Sequence, residues 1–149
     1  MSIKLWFKRI PNPKLEEKLP GIEDFTRLFC SIKFRAPNGW SKTRDAIVDT
    51  GAPISVIPLD IWTDIENKIL TEHEIQGVNP RKECTLPALI GKATCILLDE
   101  EGNQSRELEI LSHFALTNLV PLIIGFRGIL ENFKLTLDYK EDQAFAEEK

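Results

Sequence analysis

Asp49 is the residue whose neighbours point most directly to chemistry in this 149-residue chain. It closes the apolar run Ala46-Ile47-Val48 and is followed by Thr50, Gly51 and Ala52. Pro53 and a second apolar run, Ile54-Ser55-Val56-Ile57-Pro58, come next. A carboxylate at the end of a buried strand is costly unless something hydrogen-bonds it. Thr50 offers a hydroxyl for this, and Gly51 offers a backbone N–H that can be approached with no Cβ in the way. An Asp-Thr-Gly turn is also common as plain structure. It gains chemical meaning only if a second element accompanies it. That element lies far downstream in Pro121-Leu122-Ile123-Ile124-Gly125, an apolar strand ending in glycine. After it, Phe126, Ile129, Leu130 and Phe133 recur at helical spacing.

The elements that would position these residues read mostly as strands. Leu28, Cys30, Ile32 and Phe34 share one face of a strand, with Ser31, Lys33 and Arg35 on the other. Pro37-Asn38-Gly39 marks a turn into a return strand that ends at Asp49. Ile54–Ile57 reads as a short strand. A helical segment starts at Pro58, with Leu59, Ile61, Trp62 and Ile65 close to one face. A β-prone run spans Leu86–Leu98, the turn Asp99–Asn103 follows, and a strand returns from Arg106. Leu135, Leu137 and Tyr139 alternate as a closing strand, and the acidic tail from Ala144 to Lys149 is expected to fray. The fold class expected is mostly β, a closed or nearly closed barrel with one or two short helices. Residues 1–24 are expected to form an irregular arm punctuated by Pro11, Pro13 and Pro20, ahead of a domain spanning 25–149. Trp6 and Phe7 are too apolar for a free tail, so the arm packs on the domain or on a partner subunit, unless it is a partly disordered leader.

Composition narrows the function classes. A hydrophobic content of 42% and a charged content of 28% are those of a soluble globular domain. The net charge of −4 and the lack of any basic cluster argue against a nucleic-acid partner. No stretch has the length of a membrane span, and charges interrupt the N-terminal residues where a signal peptide would need an apolar core. Cys30, Cys84 and Cys95 are odd in number and form no C-x-x-C pair. That argues against a disulfide framework and for a reducing, cytoplasmic setting. Counting alone would allow a zinc site from these with His73 and His113, but no pair has metal-ligand spacing. No metal and no cofactor are expected.

The order strand, Asp49-Thr50-Gly51-Ala52, β-rich middle, Ile123-Ile124-Gly125, then a short helix resembles a retropepsin-like aspartic protease over roughly Leu28 to Tyr139. Ser55-Val56-Ile57-Pro58 with Trp62 after it also resembles that family's segment behind the active-site loop. The resemblance implies a peptidase that adds water to an amide with two carboxylates sharing one proton. Asp49 would be catalytic. The chain has no second Asp-Thr/Ser-Gly, so the resemblance further implies a homodimer with an Asp49 from each copy at the two-fold axis. Thr50 would lock the two loops together, Gly51 would contact a peptide substrate, and Ile123-Ile124-Gly125 would form the apolar bed beneath. A flap hairpin is expected near Gly77-Val78-Asn79-Pro80. The chain departs from viral members at two positions. Where those often pair an acid after Ala52 with an arginine after Gly125, this chain has Pro53 and Phe126. Two other readings stand beside the enzyme. One is a non-catalytic module of the same fold, used for dimerisation or peptide binding. The other is an unrelated barrel with a chance turn, which requires Asp49 and Gly125 to be apart in space.

Overall fold

A computed structural model describes residues 2–11, 13–21, 24–76 and 85–149. Its strands are β1 (Ser2–Pro11), β2 (Asp24–Ala36), β3 (Gly39–Trp40), β4 (Arg44–Val48), β5 (Ser55–Ile57) and β6 (Asn67–Gln76). They continue with β7 (Thr85–Leu98), β8 (Leu108–Ala115), β9 (Ile123–Ile124), β10 (Phe133–Asp138) and β11 (Gln143–Glu148). Two short helices interrupt them, α1 (Pro13–Lys18) and α2 (Leu59–Trp62).

The alternation in β2 decides where the core lies. Cys30, Ile32 and Phe34 are fully buried, while their odd-numbered neighbours face outward. β2 is long enough to serve several partners along its length. Its first half pairs with β1, its middle with β4 on one edge and β7 on the other, and its end with β3. The order β2-β4-β9-β5-β8-β7 therefore returns to β2 and closes a six-stranded barrel. Leu97, Ile110, Phe114, Ile57 and Ile124 fill it. Closing the sheet removes most of its free edges. The pairing β4–β9 is parallel, as is β5–β8, while β5–β9 is antiparallel. The two apolar segments singled out in the sequence thus interleave at the barrel's centre. The mostly-β closed barrel expected from the sequence is the architecture observed.

Three expectations about local structure fail. The first residues are not irregular, because β1 spans ten of them. It pairs with β11 through Ser2–Leu5 and with β2 through Trp6–Pro11. Ile3 and Leu5 are buried, so alternation over a short stretch decides the structure; of the prolines only Pro11 lies in the strand, at its last residue, and Pro13 and Pro20 come after it. The C-terminal tail does not fray. β11 lies between β10 and β1, with Ala144 and Ala146 buried beneath them. Its small apolar residues, Ala144 and Ala146, alternate with Gln143, Phe145 and Glu147 on the opposite face. Finally, the segment after Gly125 is a series of turns with one 3-10 turn at Leu130–Asn132 rather than an α-helix. Gly128 breaks the helical path at φ +86°, and its backbone presses on Glu109 and Ile110 so closely that a Cβ would lie 2.3 Å from the Glu109 carbonyl oxygen. The expected helix after Pro58 is real but short. Ile61 is buried, and the Trp62 ring stacks on Phe114 at 5.4 Å while its Nε1 donates to the Ala115 carbonyl at 2.7 Å.

Asp99 ties β1 to the β7–β8 turn. Its carboxylate accepts the main-chain N–H of Lys4 at 2.8 Å and those of Glu101 and Asn103 at 3.0 Å each. Partial burial pushes the carboxyl up, but these bonds and the Asn103 side chain outweigh it and hold the group below its ordinary value.

Candidate active-site loop

β4 places Ala46 and Val48 inside the barrel and turns Asp45 and Ile47 outward. At its end the chain leaves the sheet but stays attached to β9. The Ile47 N–H donates to the Leu122 carbonyl at 2.9 Å and the Asp49 N–H to the Ile124 carbonyl at 3.0 Å. Asp49 is half-buried, and its Oδ1 accepts the Gly51 N–H at 2.8 Å. The Asp49 carbonyl accepts the Ala52 N–H at 3.1 Å, which closes a tight turn over Thr50 and Gly51. The cost of an acid at a strand end is thus met by Gly51. Thr50 is exposed.

The loop is laced to the segment after β9. The Phe126 N–H donates to the Ala52 carbonyl at 3.0 Å and the Arg127 N–H to that of Pro53 at 3.1 Å. Pro53 and Phe126, the two positions where the chain departs from the viral pattern, are therefore part of a main-chain ladder that needs no ion pair. Gly125 sits where this lacing is tightest. A Cβ there would lie 2.5 Å from the Ala52 carbonyl oxygen and 2.8 Å from the Ile54 backbone, so no side chain fits. Its N–H donates to Ser55 Oγ at 3.0 Å, and Ser55 is fully buried.

Asp49, Gly51, Ala52, Ile124 and Gly125 are accordingly gathered in one place. Ile124 is buried in the core, and Ile123 lies half-buried beside Ile47 on the barrel's outer surface. The reading that requires Asp49 and Gly125 to be apart is incompatible with these contacts. Gly77, Val78, Asn79 and Pro80, where the flap was expected, lie outside the described residues. Among the described residues no group of three or more His, Cys, Asp or Glu side chains is arranged to hold a metal ion. A cleft of about 460 Å³ lies elsewhere, between β1 and the β7–β8 turn, lined in part by Lys4, Trp6, Asp45 and Asp99. Asp49 does not border it.

No family model matches the chain, and no curated protein does. The chain is similar to a retropepsin-like aspartic protease from Rickettsia conorii, known from a crystal structure. The match covers 95% of this chain and 92% of that one at 14% identity, with a TM-score of 0.47. The geometry around Asp49, rather than that likeness, bears the functional reading.

Sequence reasoning did not single out Ser55 for a role. Its signal was a small polar residue inside an apolar run, at a position where burial without a partner would be penalised. The Gly125 N–H is that partner.

Proposed function

We propose that the chain is a soluble, cytoplasmic aspartic endopeptidase that works as a homodimer, with one Asp49 from each copy forming the dyad. The observation that carries the reading is the fixed Asp49 loop. The carboxylate is held by Gly51, its main chain is tied to Ile124, and Gly125 is packed against the loop's backbone. Such pre-organisation fits a group that must meet a second carboxylate within hydrogen-bonding distance. Like charges at that distance cannot both ionise, so the pair would hold one proton between them. The ionised Asp49 would take a proton from water as its oxygen adds to the scissile carbonyl carbon. The protonated Asp49 would give its proton to the carbonyl oxygen, producing a tetrahedral diol. Collapse of the diol, with proton transfer to the amide nitrogen, would break the C–N bond and release an acid and an amine. Thr50 would join the two loops across the axis, and Gly51 and Ala52 would contact an extended peptide held as an added strand. Ile123, Ile124 and Gly125 would form the bed beneath. No metal or cofactor enters this chemistry. The free thiols Cys30 and Cys95 fit a reducing compartment.

The test is cleavage of a peptide library by the purified protein, with and without a statine-type transition-state mimic. Cleavage abolished by the mimic supports the enzyme. A protein that binds peptides or self-associates without cleaving any would instead be a non-catalytic module.

A further inference from the structure

Past Trp6 and Phe29, β1 and β2 run on together with no other strand beside them among the described residues. β1 pairs with β11 only through Ser2–Leu5, and β2 pairs with β4 only through Phe29–Ile32. The stretch 7–11 against 24–28 is therefore a two-stranded ribbon, with α1 at its tip. Two strands alone are marginal and need packing on at least one face. One face has it. Phe7 stacks on Tyr139 at 5.2 Å, and the Thr26 hydroxyl shares a hydrogen bond of 2.6 Å with the Tyr139 phenol.

The opposite face is ordered in rows. The register sets Trp6 beside Phe29, Lys8 beside Arg27 and Ile10 beside Phe25. By the strand alternation these six share the face turned away from Phe7 and Thr26. The Trp6 and Phe29 rings stack at 6.1 Å, and Lys8 Nζ stands 5.5 Å from the centre of the Phe29 ring. Lys8 and Arg27 are exposed. Ile10 and Phe25 are 36% and 48% exposed, and Leu19, in the connection between α1 and β2, is 51% exposed. From the tip inward the face thus reads apolar, cationic, aromatic. None of the six residues is acidic, although the chain's net charge is −4. The sequence hid this patch, because Lys8 and Arg27 meet only through the pairing of β1 with β2.

Shape and charge together select the occupant. The apolar side chains stand at the end of a ribbon, and a lipid surface accepts such a projection without a matching pocket. Rows two residues apart lie about 7 Å from one another along a strand. Apolar side chains of interfacial anchors enter about 5–10 Å into the boundary between headgroups and acyl chains. With Ile10 and Phe25 at that depth, Lys8 and Arg27 fall at the level of the phosphates, where each cation adds attraction to anionic lipid.

We infer that the β1–β2 ribbon docks the protein on the surface of an anionic lipid bilayer. Ile10, Phe25 and Leu19 enter the boundary, and Lys8 and Arg27 meet the lipid phosphates. The contact is peripheral and does not depend on the catalytic reading, so Asp49→Ala protein should bind lipid as wild type does.

Co-sedimentation of the purified chain with vesicles tests it, using phosphatidylcholine alone and phosphatidylcholine mixed with phosphatidylserine, with circular dichroism melts to confirm folding. Wild type is expected to bind the mixed vesicles, more weakly as salt is raised, and to leave pure phosphatidylcholine unbound. Lys8→Glu/Arg27→Glu should weaken binding by at least about thirtyfold. Phe25→Ser, which keeps every charge, should weaken it by about tenfold. Lys68→Glu/Lys134→Glu makes the same change in net charge at exposed positions outside the ribbon and should bind nearly as wild type does. Failure of wild type to bind the mixed vesicles, equal binding to pure phosphatidylcholine, or equal losses in the two double variants would overturn the inference. Retention of wild type on immobilised poly-glutamate but not on vesicles would also overturn it, by making the partner an acidic protein.

Discussion

Gly125 and Ser55 show how closely the Asp49 loop is specified. Gly125→Ala forces a methyl group against the carbonyl of Ala52 and the backbone of Ile54, neither of which is the end of a flexible side chain. Displacing this backbone should cost about 1–3 kcal/mol. It should also shift the loop, so activity should fall beyond what the remaining folded fraction explains; urea titration beside a cleavage assay separates the two. Ser55→Ala leaves the Gly125 N–H buried without its acceptor and should cost about 1–3 kcal/mol in the same titration. Asp49→Asn should be mild for stability, because an amide oxygen can still accept the Gly51 N–H.

At the scale of elements, β1 is the clearest difference between what the residues suggested and what forms. Ile3 is fully buried under the β1–β11 pairing, so Ile3→Ala should lose about 2–5 kcal/mol by thermal or urea unfolding. An irregular arm would lose almost nothing. The long strands were legible because one face of each is buried and the other wet, as in Cys30, Ile32 and Phe34 on β2. The Asp49 and Gly125 segments were legible because a carboxylate and a glycine in those positions need particular partners. β1 and β11 were not. β1 carries its buried residues only at Ile3 and Leu5, and β11 buries alanines, which give almost no periodic signal. Their alternation matters only because each lies against the other, a pairing between the two ends of the chain that local pattern does not reveal. The missing helix after Gly125 has a different cause. Helical spacing was present, but Gly128 adopts a left-handed conformation because the chain passes too close to β8 there for any Cβ.

At the scale of the whole molecule, Cys30 and Cys95 are buried thiols among the described residues, and their chemistry can be read in its stability. Burial, followed by the nearness of Cys95 and Asp45, pushes the Cys30 thiol up, and burial pushes Cys95 from 9.0 up to about 12. Both groups therefore stay protonated in the fold at a pH where the unfolded chain releases their protons. Their contribution is fully present below about pH 9 and is lost as pH rises from there toward 12, by about 1.4 kcal/mol per pH unit for each thiol. Alkaline unfolding followed by circular dichroism should show that slope, and Cys30→Ala/Cys95→Ala should flatten it. The catalytic account is also a claim about the whole molecule, because Asp49 has its proposed chemistry only when another Asp49 faces it. Its most direct test is the rate of peptide cleavage by wild type and by folded Asp49→Ala protein, prepared identically. The account predicts cleavage by wild type and a loss of at least about 10²–10⁴-fold in the variant. Equal rates in the two proteins, or no cleavage by wild type, would contradict it.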